Sequence, residues 1–547
     1  MFSAPLTAPQ AALAAAPREA KVFLEGPAGA GKTTAGVARL LGLIERGAPA
    51  GSLLVFVPQR TLAAPYLAAL RRPDLPPGGR PTVLTLGGLA RRMVELFWPL
   101  AGEAAGFARP AQPPVFLTLE TAQYYLARVV APLLAEGRFR SVTLDRPRLY
   151  SQILDNLNKA AAVGFDPGEI GARLSAAWLG DPGRERVYAD VQEAALRFRE
   201  YCLAHNLLDF SLQLEVFRRH VWPQPLGRDY LLNTYRHLVA DNLEEDVPAA
   251  HDLLAEWLPE FDSAVLIYDQ DAGYRRFLGA DPASAYGLRG LCREHLTFTE
   301  AVQPAAPVFA ALGDALAAAL DRPAAPVLFD HVSQADSAAV QLGVRRFFPE
   351  MLDWAAGEVA RLVHAEQTPP EQIVILAPYL GDALRYALMD RLGRAGVPAR
   401  SHRPSRSLRE EPATHCLLTL AALAHPEWGR PPERVDLAYA LQHAIAGLDL
   451  TRAHLLAGIV HRARDGVVSL GSFDPIRPDV QKRLTLRAGG RYEDLRLWLE
   501  AYRQGPPLEL DHFLARLFDE VLGQPGYGFH ADPDAAAVTA RLFESVR

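Results

Sequence analysis

Cysteine is scarce in this chain. Cys202, Cys292 and Cys416 stand far apart in 547 residues. Such spacing excludes a disulfide framework and a cysteine-based zinc site, and the three read as reduced thiols. Long apolar runs are missing as well. None reaches the roughly 18 residues that a membrane span requires, so no membrane partner is expected. The first ten residues lack a basic segment followed by an apolar core, the mark of a secretory leader. Together these absences predict a cytoplasmic protein. Lysine is almost absent too: only Lys21, Lys32, Lys159 and Lys482 occur, and arginine carries nearly all the positive charge. A formal net charge of −6 excludes a basic coat over the whole surface. A local arginine groove for phosphates remains compatible with it.

Apolar residues make up 49% of the chain, enough for several cores, and the length suggests roughly three or four domains. One of the four lysines lies in the most informative stretch. Gly26, Pro27, Ala28, Gly29, Ala30, Gly31, Lys32 and Thr33 form a complete G-x-x-x-x-G-K-[ST] phosphate loop, and Thr34 comes next. Apolar Val22, Phe23 and Leu24 precede the loop, and a helix-like stretch comes after it. This is the strand–loop–helix context that the motif requires. Backbone N–H groups of the loop and of the helix N-terminus wrap a polyphosphate. The motif leads us to expect that Lys32 reaches the β- and γ-phosphates and that the Thr33 hydroxyl ligates Mg²⁺.

Residues 1–90 alternate strand and helix signals, with strands expected at 21–25, 53–58 and 82–86, the rhythm of a parallel sheet. Amphipathic helical stretches at 118–135, 148–162 and 186–205 then read as a helical insertion over 91–230. Strand patterns return at 237–241 and 264–269 within a segment 231–300, and each ends on a carboxylate, Asp241 and Asp269. An Asp at the carboxyl end of a parallel strand faces the ligand crevice of an open α/β sheet. The Ala- and Pro-rich stretch 301–326 reads as a linker. A second α/β signal covers 327–430, with helix 351–366, strand 372–377, and helices 381–395 and 412–424. From 431 to 547 the pattern is helical and Arg-rich. The last residues, 536–547, look like a helix without a stop signal, so a fragment of a longer protein is expected.

These segments resemble the UvrD/Rep/PcrA-type superfamily 1 DNA helicases, with their AddAB and RecB relatives. Gln10 in Leu6, Thr7, Ala8, Pro9, Gln10 resembles the motif that reads adenine. Residues 55–61 stand in the place of motif Ia. Thr85, Leu86, Gly87, Gly88, Leu89 resembles a DNA-contacting motif, without its histidine. Leu208 to Leu214 resembles the segment that precedes motif II. Motif II, D-E-x-Q-D in the family, is matched by Asp241, Asn242, Leu243, Glu244, Glu245. Asp241 fits the Mg²⁺-binding carboxylate. Asn242 replaces the glutamate that activates water. Either hydrolysis is weak, or Glu244 or Glu245 substitutes. Residues 268–280 resemble motif III, with Asp269 and the sequence Phe277, Leu278, Gly279, Ala280 matching. The coupling glutamine aligns with Ala272, and Gln270 lies close.

The resemblance implies an α/β fold of two RecA-like domains, each a parallel sheet with flanking helices and a helical insertion, the second incomplete. It implies ATP and Mg²⁺ as cofactors, with Lys32, Asp241, Glu244, Glu245 and Arg385 as catalytic candidates. Arg385, beside Leu384, stands near the place of the arginine that reaches the γ-phosphate. Thr85, Tyr274, Arg276 and Phe277 are the implied DNA contacts, with Phe277 in the place of a base-stacking aromatic. The implied activity is ATP-dependent translocation on single-stranded or tailed DNA in repair or recombination. The alternative is an AddB-like subunit that binds ATP, hydrolyses it weakly and scaffolds DNA for a nuclease or helicase partner.

Overall fold

The computed structural model describes residues 5–546, except 74, 76–78, 181–183, 271, 300–305, 321–340, 379, 402–407 and 465. The chain falls into two compact units, Met1–Gln341 and Leu342–Arg547.

In the first unit the strands are β1 (Lys21–Gly26), β2 (Leu53–Phe56), β3 (Thr82–Leu84), β4 (Val115–Phe116), β5 (Leu207–Leu208), β6 (His237–Ala240), β7 (Ser263–Asp269) and β8 (Glu294–Thr297). Six of them form one sheet in the order β3-β2-β6-β7-β1-β8. Every pairing in it is parallel. The unit is therefore α/β, compatible with a RecA-like fold. Strands β4 and β5 pair separately.

The strands are apolar on both sides, as burial under two helical layers demands. Alternate residues face opposite layers. Val22, Leu24, Val55, Val239, Val265 and Ile267 pack with the helices Ala8–Ala15, Lys32–Glu45 and Ala64–Ala69. Phe23, Leu54, Phe56, Leu238, Ala240 and Leu266 pack on the other side with Leu126, Ile153 and Phe198 from the insertion. The five strands expected in the first unit lie within about two residues of β1, β2, β3, β6 and β7. The edge strand β8 was not expected, because Glu294 and His295 are exposed and leave no apolar run.

The insertion is helical as expected, with Leu119–Ala135, Arg146–Val163 and Glu185–Ala204 its longest helices. Thr118 and Asp145 cap the first two, accepting the backbone N–H of Thr121 and of Arg148. The expected boundaries at 90 and 230 do not separate two cores, however. Helix Leu86–Ala101 runs across residue 90 and buries Leu89, Met93 and Val94 in the same core as the sheet. The apolar faces of the insertion helices bury against that sheet rather than against one another alone.

The stretch expected as a linker contains the helix Ala306–Ala319. Alanine is the strongest helix former, and it outweighs the reading of this composition as a spacer. Residues 301–305 and 321–326 of that stretch lie outside the described residues.

In the second unit the expected helices appear as Phe348–His364, Asp382–Arg394 and Pro412–Ala424. Of residues 372–377, expected as a strand, Gln372 ends the 3₁₀ turn Pro370–Gln372 and 373–377 take no ladder partner among the described residues. Val374 and Leu376 are 74% and 89% exposed. An apolar run becomes a strand only beside another strand, and the ladder found in this unit lies elsewhere. It is the antiparallel hairpin β9 (His461–Arg464) with β10 (Val467–Leu470). Helix Pro412–Ala424 also packs with the helices C-terminal to it. Leu417 and Leu420 share a core with Leu441, Leu456, Tyr492 and Phe513. One core therefore spans residue 430. Residues 327–340 lie outside the described residues.

Candidate nucleotide site

The parallel sheet brings three sequence-distant segments to one edge. β1 runs into the phosphate loop, β6 into Asp241, and β7 into Asp269. β7 lies between the other two strands. Such a carboxyl-end crevice is where open α/β sheets take ligands.

The loop needs its first glycine. A Cβ on Gly26 would lie 2.3 Å from the Phe298 carbonyl oxygen, which is backbone and cannot yield. The helix Lys32–Glu45 starts directly behind the loop, so its first N–H groups point into the crevice. The Lys32 ammonium is buried. It donates to the carbonyls of Gly26 at 2.9 Å and Pro27 at 2.6 Å, and it is ion-paired with Asp269. Ala28 and Gly29 at the loop tip are exposed, and Thr33 and Thr34 are half-buried.

The Thr33 side chain lies beside the Asp241 carboxylate and lowers its proton affinity. That joins the two residues expected to hold Mg²⁺, although 208 residues separate them in the chain (241 minus 33). Asp241 is buried. Its Oδ2 accepts from the Tyr66 hydroxyl at 2.7 Å, and its Oδ1 accepts from the Asn242 N–H at 2.8 Å. Burial pushes the Asp241 carboxyl above its ordinary range, and the Tyr66 hydrogen bond and the nearby Thr33 side chain oppose that rise. Tyr66, itself wholly buried, is pushed up in turn, so its hydroxyl stays a donor. Among the described residues no group of three or more His, Cys, Asp or Glu is arranged to hold a metal alone. One hydroxyl and one carboxylate beside a phosphate cradle fit Mg²⁺, which keeps waters and shares substrate oxygens.

Asn242 adopts a left-handed conformation, φ 57° and ψ 45°. It begins a single 3₁₀ turn, Leu243–Glu245, that places the two candidate glutamates differently. Glu244 is fully buried. Its Oε2 accepts the Asp269 N–H at 2.9 Å, whereas its Oε1 is buried without a hydrogen-bond partner. Burial pushes its carboxyl up to about 7, and the neighbouring Asp269 and Asp241 charges add to the rise. Glu245 commits both oxygens to backbone donors. Oε1 accepts from Gly273 at 3.1 Å and Tyr274 at 2.9 Å, and Oε2 from Arg275 at 3.0 Å. This makes Glu245 a backbone anchor; Glu244 is the carboxylate with an oxygen to spare.

The segment held by Glu245 is the 3₁₀ turn Tyr274–Leu278. Tyr274 is 81% exposed and Phe277 73%, with Arg276 and Leu278 exposed beside them. Thr85 sits at the carboxyl end of β3 and caps the helix Leu86–Ala101, accepting the Gly88 N–H at 3.1 Å. Gln10 lies against the phosphate loop. It is buried, its Oε1 accepts the Thr7 N–H at 2.9 Å, and its Nε2 donates to the Gly31 carbonyl at 3.1 Å. Its amide braces the phosphate loop. Gln270 packs at the same edge, its Nε2 3.3 Å from Glu25 Oε2. Arg385 lies in the second unit, half-buried on the first turn of the helix Asp382–Arg394.

Sequence reasoning missed Tyr66. No motif marks it, and only its proximity to the end of β2 hints that it lies near the crevice. A scan against protein-family models finds no match, and no curated protein matches the chain.

Proposed function

We propose that this chain is an ATP-dependent motor of the UvrD type that translocates on single-stranded DNA in repair or recombination. One observation carries the reading: the phosphate loop, the Thr33–Asp241 pair and the exposed aromatic turn after Asp269 meet at one edge of a parallel sheet. A metabolic kinase has no evident use for two bare aromatics beside its phosphate site. Single-strand binders stack bases on such rings, at about 1–3 kcal/mol per base.

In this reading the loop amides and Lys32 bind the β- and γ-phosphates. Thr33 and Asp241 hold Mg²⁺, which neutralises phosphate charge when bound. Glu244 takes the role that Asn242 cannot fill, because an amide accepts no proton. Its spare oxygen and raised proton affinity suit a general base near neutral pH. Tyr274 and Phe277 stack on bases, with Arg276 and Thr85 beside phosphates. A second RecA-like domain, with Arg385 sensing the γ-phosphate, belongs to the proposal.

Asn242 favours a second reading. If Glu244 is too enclosed to reach water, the chain binds ATP with little turnover and scaffolds DNA for a nuclease or helicase partner. Glu244→Gln separates the two. The motor reading predicts a loss of turnover of about 10²–10⁴-fold at unchanged ATP affinity. The scaffold reading predicts negligible turnover in both forms.

A further inference from the structure

The Tyr274–Leu278 turn is unusual in what it exposes and in what holds it. Tyr274, Phe277 and Leu278 are 81%, 73% and 51% exposed, so apolar burial does not fix the turn. Hydrogen bonding does. Three consecutive backbone N–H groups, of Gly273, Tyr274 and Arg275, converge on the one carboxylate of Glu245. Charge-assisted bonds of this kind are about twice as strong as neutral ones. Glu245 itself is only 9% exposed. It sits four residues after Asp241, at the end of the 3₁₀ turn Leu243–Glu245, and the preceding Glu244 grips the Asp269 N–H. The two glutamates therefore hold both ends of the chain from 269 to 275. Asp269, at its start, is the ion-pair partner of Lys32.

We infer that Glu245 is a positioning residue through which the nucleotide site sets the placement of the aromatic turn, and with it the affinity for single-stranded DNA. The inference rests on the reading that residues 26–33 bind Mg·nucleotide and that the turn binds DNA. A shift of Asp241 or Asp269 on nucleotide binding reaches the turn through residues 243–245 and the Glu245 hydrogen bonds, to which the Arg275 guanidinium adds a bond to the Glu245 carbonyl at 3.5 Å. An anchor of local stability alone would hold the turn equally in every nucleotide state. Glu245→Gln keeps the size of the side chain and places an amide donor against a backbone donor, so at least one of the bonds is lost.

The test measures the affinity of the full chain for a fluorescein-labelled oligo-dT, with and without Mg²⁺ and a non-hydrolysable ATP analogue. Affinity for the analogue is measured in parallel. For wild type we expect the analogue to change oligonucleotide affinity by about fivefold or more, a usual size for coupled sites. In Glu245→Gln that change should shrink to within about twofold, with affinity for the analogue held within about twofold. An unaltered nucleotide-linked change in Glu245→Gln overturns the inference. If that variant does not fold, hydrogen exchange in wild type decides. Exchange at the amides of 273–275 should change by about fivefold or more on adding Mg·analogue, and unchanged exchange overturns the inference. A wild type without affinity for the analogue, or for the oligonucleotide, overturns the underlying reading, and this inference with it.

Discussion

The Tyr66 hydroxyl donates to Asp241 Oδ2 at 2.7 Å, and both side chains are buried. Gly36 makes room for that contact, because a Cβ there would lie 2.6 Å from the Tyr66 oxygen. The hydrogen bond fixes one oxygen of the carboxylate, beside which the Thr33 side chain also lies. Tyr66→Phe removes a hydrogen bond to a buried carboxylate, which costs about 1.5–3 kcal/mol. We expect a lower melting temperature and a higher Mg²⁺ concentration for half-maximal nucleotide binding. Titration of Mg²⁺ against a fluorescent ATP analogue reads this directly. An unchanged Mg²⁺ midpoint would separate Tyr66 from the metal site.

Lys32 shares its charge with Asp269, and a polyphosphate competes for the same ammonium. Asp269→Asn removes both the competitor and a repelling negative charge. Because Asp269 is 24% exposed, solvent screens part of the effect. Affinity for Mg²⁺-free triphosphate should rise by about three- to tenfold. Equilibrium binding in EDTA checks it, and weaker binding would mean that Asp269 supports the phosphates instead.

Glu244 gives a stability prediction with a definite sign. Unfolded, its carboxyl releases its proton near 4.5, whereas folded it does so at about 7. Below about pH 4.5 both states hold the proton, and burial has no ionisation cost. Between the two values only the folded state keeps it, so stability falls as pH rises. Above about 7 the full cost is reached, about 3 kcal/mol at 1.36 kcal/mol per unit. Denaturant unfolding of wild type and Glu244→Gln in metal-free buffer should diverge between pH 5 and 8, with the glutamine variant increasingly the more stable. A difference that stays flat over this range contradicts the buried carboxyl.

Tyr274 and Phe277 carry the strand-binding claim. Phe277→Ala should weaken oligo-dT binding by about 1–3 kcal/mol, roughly 5- to 150-fold, with nucleotide affinity unchanged. Tyr274→Ala should do the same. Both residues lie on the surface, so thermal stability should hold. Fluorescence anisotropy against a labelled oligonucleotide measures the loss.

Much of the first unit was legible because its signals are local. The G-x-x-x-x-G-K-[ST] pattern and the apolar strands fix β1, the loop and the helix behind it, and each carboxylate after an apolar strand marked the crevice edge. What escaped depends on partners remote in sequence. Tyr66 acts through Asp241, 175 residues away. Glu244 and Glu245 look alike in the sequence, and only the geometry of their 3₁₀ turn divides them into a carboxylate with a spare oxygen and an anchor. The bond from Gln10 to the Gly31 carbonyl likewise depends on the fold. In the second unit, residues 373–377 carry strand propensity, but pairing is set by the neighbour and not by propensity.

The most direct test of the central claim is ATP turnover by the full chain with and without single-stranded DNA, in wild type and Lys32→Ala. The motor reading predicts turnover that rises with DNA and is abolished in Lys32→Ala. Turnover that ignores DNA, or that survives loss of the Lys32 ammonium, would contradict it.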